Sequence, residues 1–389
     1  MAIKPKFQIR SLIVPVYLPT VVFSIGEAAL IPTIPANASD LGSSLALAGL
    51  IAGLFMIGTM LADLPAAKLV HKIGERLAMV YSGLFAALGG LLAALTDSLL
   101  LLAISVFLIG CGHAVFALAR HSYITAAVPP SHRGRALSTL GGMFRLGGFI
   151  GPLLGALVLS LSELHSVYWM ALCLFALAAL ILLFFAKDDR EETADHGEFT
   201  IWSTIAKNRR NLLTLGIPAS LLAAMRTLRA VGLPLWGTSI GLSAAEISLC
   251  LGVSAAIDLA LFYTSGQIMD RFGRRWVAIP SLLGMSMAQL LYFLAVDGST
   301  FLALALLMAL SNGIGAGLVL LIGADMAPAE KRSEFLAAYR LLIDSATAAA
   351  PVGLSIITAV AGLTTGLGFF GILGIAGAAM FARYLPKLR

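Results

Sequence analysis

The stretch "KDDREETADHGEFTIWSTIAKNRR", residues 187–210, mixes acids, bases and small polar residues inside a chain of 389 residues that is 59% hydrophobic and only 12% charged. Average soluble domains carry roughly 25% charged residues, and the mean hydropathy of this chain is +0.95. The passage reads as a solvated linker between two apolar blocks, with a short surface helix expected around Phe199 to Ala206. Working outward from it, apolar runs near the ~20 residues needed to cross about 30 Å of hydrocarbon recur on both sides. Six precede it, at 12–33, 45–65, 77–95, 99–125, 136–159 and 166–186. Six follow, at 211–235, 244–264, 276–296, 299–325, 335–359 and 364–384. Runs this long and evenly apolar suit helices and not barrel strands, whose faces alternate. The expected fold is an all-α membrane protein of twelve transmembrane helices in two six-helix bundles, residues 1–186 and 211–389, joined by the linker 187–210.

The formal net charge of +6 invites a nucleic-acid reading, but its placement argues otherwise. With "MAIKPKFQIR" in the cytosol, the six outer loops contain no Lys or Arg and carry Asp40, Asp97, Glu163, Glu246 and Asp297. Arg120, Arg145, Arg226, Arg229 and Arg340 fall inside spans, and every other basic residue lies on the cytosolic side. This asymmetry is the positive-inside pattern, with both termini cytosolic in a plasma membrane, or an inner membrane if the source is Gram-negative. The basic excess therefore records topology and implies no nucleic acid partner. Cys111, Cys173 and Cys250 sit in apolar spans as small hydrophobes, so neither a disulfide framework nor a metal site is expected. The first apolar run contains Pro15, Pro19 and Glu27 and lacks a small-residue cleavage site, which marks it as a span and not a signal peptide.

The two blocks align at one offset. Pro152 and Pro351 are 199 positions apart, and the same shift carries Gly74 to Gly273, Arg76 to Arg275, Pro129 to Pro328 and Arg133 to Arg332. A gapless parallel repeat of six-helix halves, with a substrate site near the midplane, is a transporter architecture. The motifs then resemble those of the major facilitator superfamily. "GQIMDRFGRR", Gly266 to Arg275, is similar to that family's loop motif between the eighth and ninth helices, with Asp270, Arg271, Gly273 and Arg274 at its centre. "HKIGER", with Lys72, Gly74 and Arg76, looks like a weakened copy between the second and third. "GGFIGPLLG", Gly147 to Gly155, resembles the fifth-helix element of the family's twelve-helix drug/proton antiporter branch through Gly147, Gly151, Pro152 and Gly155. Two departures stand out: His71 occupies the place of an Asp in the first loop copy, and Val106 stands four residues before Gly110 where that branch carries an Arg.

Each motif has its chemistry. A tight interhelical turn needs Gly273, and the loop cations are suited to holding helix C-termini and phosphate headgroups at the inner surface. The resemblance implies that Asp270 pairs across the two halves as a latch; the plain alternative is a solvated loop. Small residues along the fifth span admit a neighbouring helix closely, and Pro152 frees a carbonyl that lets the helix bend.

Ionisable residues at membrane depth are costly and point to function. Arg145 lies about 15 Å and Asp258 about 18 Å from the cytosolic ends of their helices. The family fold makes those helices neighbours, so Asp258 is the expected partner of Arg145. Glu27 and Arg226 occupy equivalent places in the repeat, each about 25 Å from the cytosolic side. They are expected to meet when the outer gate closes, with Arg229 on nearly the same face as Arg226. A carboxylate in an apolar cleft beside a cation exchanges its proton as its surroundings change, which makes Glu27, then Asp344 and Asp258, the proton-coupling candidates. Asp344 has Arg340 one turn away. His113 and its repeat equivalent Asn312 are candidate hydrogen-bonding groups for substrate, and Arg120 is expected to line the lower cavity or snorkel toward the interface.

No G-x-x-x-x-G-K-[ST] sequence is present, so a nucleotide does not drive this chain and the proton gradient is the expected source, with no cofactor. The reading is a non-enzymatic, proton-coupled secondary transporter acting as a monomer among membrane lipids. It would export small organic molecules, such as a drug, a siderophore or an anionic or zwitterionic metabolite. An importer or lipid transporter on the same scaffold, and a non-transporting membrane sensor, are the alternatives.

Overall fold

The computed structural model describes residues 9–186, 208–328 and 332–385. The linker's expected surface helix and most of the N-terminal basic stretch lie outside the described residues. Among these residues the chain is helical and contains no strand. The elements are α1 (Leu18–Leu30), α2 (Thr33–Asp40), α3 (Leu45–Ile73), α4 (Glu75–Leu95), α5 (Leu99–Ala127), α6 (Pro130–Leu161) and α7 (His165–Phe185). There follow α8 (Ile217–Ser239), α9 (Ala244–Phe272), α10 (Arg275–Leu290), α11 (Gly298–Ile314), α12 (Leu318–Met326), α13 (Arg332–Ala361) and α14 (Leu363–Tyr384). Eleven helical segments of the described residues are long and apolar enough to cross a membrane.

The ninth expected span departs from that pattern. Its helix ends at Leu290 and a 3-10 turn, Tyr292–Leu294, follows, so the continuous helix has 16 residues. At 1.5 Å per residue that reaches about 24 Å, short of the full hydrocarbon thickness. The first span runs on past its expected end: after a turn at Ile31 and Pro32, α2 carries the chain to Asp40. The tenth breaks where Gly317 takes a left-handed conformation (φ 77°) between α11 and α12.

The chain divides into two compact units. One comprises Met1–Leu30 with Leu54–Ala194, the other Ile31–Gly53 with Asp195–Arg389. In the first, α4 packs on α5 and α7 while α1 packs on α6 and α7; in the second, α10 packs on α11 and α14 while α8 packs on α13 and α14. These pairings correspond under the 199-residue shift. So do π-helical turns at Ile13–Tyr17 and Leu212–Gly216. Gly74 and Gly273 share one backbone conformation, φ 83° ψ 161° and φ 91° ψ 160°, in which a Cβ would be strained. The expected need for glycine in that turn is met in both copies.

The start of α11 offers a pH-dependent contact. Asp297 is its N-cap, accepting from the Thr300 backbone N–H at 2.8 Å and from the Ser299 hydroxyl at 2.7 Å. The Thr300 N–H, then the Ser299 and Thr300 hydroxyls, hold this carboxyl down to about 2. Because the folded value lies below the unfolded one of about 3.9, the contribution is full above pH 5 and falls with pH, about half gone by pH 3. The stability gap between the protein and Asp297→Asn, read as melting temperature in detergent, is expected to narrow from pH 5 to pH 3.

Candidate functional site

Glu27 lies on α1 facing His113 of α5, with His113 Nδ1 2.7 Å from Glu27 Oε2. Both side chains are largely buried, at 8% and 18% exposure. His113 is flanked by the rings of Phe55 at 5.3 Å and Phe144 at 6.2 Å between centroids. Two turns along α5 on the same face, Arg120 sits with its guanidinium 5.6 Å from the Phe116 ring and 5.2 Å from the Phe144 ring. Phe23 stacks on Phe116 at 4.2 Å and closes the wall. Within the first unit, then, a carboxylate, an imidazole and a guanidinium sit in an aromatic enclosure. The contact ties α1 to α5 through two side chains that have little access to water.

The fifth-span glycines explain how Glu27 reaches this position. A Cβ on Gly151 would meet Ile25 O at 2.5 Å, Ala28 Cβ at 2.8 Å and Ala29 N at 3.0 Å; one on Gly147 would meet the Ser24–Ile25 backbone; one on Gly155 would touch Ala29. The row therefore seats α1 against α6 along the turn that carries Glu27. Pro152 lies inside α6, which continues unbroken to Leu161.

In the second unit the polar centre is Asp258 on α9. Its Oδ2 accepts from Arg229 Nη1 on α8 at 2.5 Å and its Oδ1 from Asn312 Nδ2 on α11 at 2.9 Å. Arg229 Nη2 also donates to the Ser254 hydroxyl at 3.2 Å. Both oxygens of Asp258 thus have partners within its own unit. Arg145 is half-buried on α6. Arg226 Nη2 donates to the Gly315 carbonyl at 2.6 Å, and Ser265 donates to the Ile314 and Ala316 carbonyls. These are carbonyls that the break between α11 and α12 leaves outside the helical ladder.

Other expected residues fall as follows. Asp344 accepts from Arg340 at 3.3 Å, the local pair the spacing implies. Arg120 is 9% exposed, packed inward and not snorkelling. In the loop motifs Arg76 Nη2 donates to Leu183 O at the end of α7, Arg274 pairs with Asp325, and Arg271 lies over the Phe272 ring. Asp270 and Lys72 are exposed, Arg275 opens α10, and a Cβ on Gly266 would meet open space. His113 and Asn312, expected to await substrate, each bind a carboxylate instead. The aromatic partners Phe55, Phe116 and Phe144, and Ser254 and Ser265, were not singled out by the sequence. The glycine cluster "GIGAG", Gly313 to Gly317, is the signal that marks the break. Among the described residues, no three His, Cys, Asp or Glu side chains gather as a metal site.

The profile of the Major Facilitator Superfamily matches residues 16–229 and 217–389. The chain belongs to this superfamily. It is 30% identical over 186 residues to the tetracycline resistance protein, class H, of Pasteurella multocida, a match covering 47% of this chain and 46% of that protein. The chain thus spans about half the length of that relative. It is 24% identical over 298 residues to the MFS-type transporter YdeG of Bacillus subtilis, covering 70% of this chain and 68% of that one. Among solved structures it resembles a POT family transporter in complex with 5-aminolevulinic acid, with a TM-score of 0.80 at 12% identity over 96% of both chains. At that identity the likeness shows the fold alone, the all-helical major facilitator fold.

Proposed function

We propose that this transporter is a proton-coupled exporter of small organic molecules, working by alternating access in a bacterial inner membrane as a monomer. The proposal includes twelve spans, both termini cytosolic and halves at 1–186 and 211–389. The observation that carries it is the Glu27–His113 contact, 2.7 Å long and enclosed by aromatic rings. Ionisable residues at membrane depth are costly and mark proton relays and substrate pathways, which supports a coupling role for this pair. The fifth-span glycine row, which seats α1, and the tetracycline resistance relative favour export. Five arginines against Glu27, Asp258 and Asp344 inside the spans, with Asp63 and Asp325 at their edges, favour neutral, zwitterionic or anionic cargo over dications. One proton moving down 100 mV supplies about 2.3 kcal/mol for accumulation.

The test uses purified protein in liposomes under imposed pH gradients, with a panel of anionic, neutral and cationic compounds. The protein is expected to move cargo against the proton flow. Glu27→Gln should still exchange cargo downhill while ignoring the pH gradient. Gradient dependence unchanged in Glu27→Gln removes the residue from coupling, and a panel on which nothing moves overturns the export reading.

A further inference from the structure

On the first unit, away from Glu27 and His113, a cavity of about 440 Å³ opens between α3, α4 and α5. Its walls are apolar, from Ala62, Pro65 and Leu69 on α3 to Phe85 on α4 and Val115 on α5. Of its polar groups, Ser82 donates to Met79 O at 2.8 Å and Cys111 to Gly58 O at 3.5 Å, and Tyr81 is exposed. Lys68 and Lys72 line one end, both exposed. No Asp or Glu lines the cavity among the described residues, and Glu75 nearby accepts from Ser122 at 2.9 Å.

From Ala62 to Lys72 is ten residues of helix, about 15 Å, which is half the thickness of the hydrocarbon core. An apolar slot one leaflet deep with a cationic mouth has the dimensions and charge of a phospholipid. Lys68 and Lys72 are also i, i+4 neighbours whose like charges repel, and an anion between them relieves that repulsion. Pro65 supports the shape: it lacks the N–H that would bond the Leu61 carbonyl, so α3 is free to bend away from α4 there.

We infer that this groove holds one anionic phospholipid, its acyl chain along α3 and α5 and its phosphate between Lys68 and Lys72. The inference rests on the chain lying in a bilayer and not on the direction, cargo or coupling proposed above.

Native mass spectrometry of the full chain in detergent tests it, using phosphatidylglycerol and phosphatidylcholine of identical chains. The protein should retain phosphatidylglycerol in preference. Lys68→Gln/Lys72→Gln should weaken that preference by about fivefold per lysine removed. Val115→Trp, which fills the slot, should lose both lipids. In the unaltered protein, phosphatidylglycerol should slow alkylation of Cys111 by N-ethylmaleimide relative to Cys173, a readout independent of any variant's folding. Glycerol phosphate, a headgroup without chains, should not compete. The idea is overturned if the lysine variant keeps the full preference, if glycerol phosphate competes as well as the lipid, or if Cys111 reacts at the same rate with and without lipid.

Discussion

Asp258→Asn and Arg229→Met each destabilise the protein by about 3–5 kcal/mol, and the double variant costs much less than their sum. The pair is 2.5 Å apart with side-chain exposures of 14% and 13%, so removing one member leaves the other charge with little water around it. Arg229 without Asp258 keeps only the Ser254 hydroxyl among the contacts described here, a neutral acceptor; Asp258 without Arg229 keeps the Asn312 amide. Neutralising both removes the reason for either penalty, and the double-mutant cycle isolates the coupling. Unfolding in mixed detergent measures it. Strictly additive costs would mean that the two charges act independently, against the geometry.

Gly151→Ala is the second large effect. Its Cβ would come within 2.5 Å of Ile25 O and 3.0 Å of Ala29 N, both backbone atoms that cannot rotate aside. Helices α1 and α6 must part, at the roughly 1–3 kcal/mol typical of overpacking, and Glu27 moves away from His113 with α1. Gly148→Ala, three residues away, is the control because its Cβ meets nothing within 4 Å. Melting temperature and gradient-driven transport should both fall for Gly151→Ala and stay unchanged for Gly148→Ala. Equal behaviour of the two would detach the glycine row from the seating of α1.

The 199-residue repeat was legible down to backbone angles. The shift that aligns prolines in the sequence also aligns Gly74 with Gly273 and Gly42 with Gly241 in the left-handed region, at φ 83° and 91°, then 84° and 81°. Repeats preserve turns because only glycine tolerates them. Pairing was not legible. Counting residues from a helix end places Glu27, Arg226, Asp258 and Arg145 along their helices. It gives no rotation about the helix axis, and rotation decides that Glu27 meets His113 and that Asp258 meets Arg229 and Asn312. Matching opposite charges between equivalent positions overlooked neutral partners, which satisfy a buried charge as well when they donate or accept correctly. The short ninth helix escaped notice for a related reason: composition cannot distinguish a helix from an apolar turn such as Tyr292–Leu294.

The junction at Gly315 to Gly317 gives the tenth span a character unlike a continuous helix. It is two rods with a bare joint between them, whose Gly315 and Ala316 carbonyls are held by a guanidinium from Arg226 and a hydroxyl from Ser265. Those two side chains replace the hydrogen bonds that a continuous helix would have supplied from its own backbone.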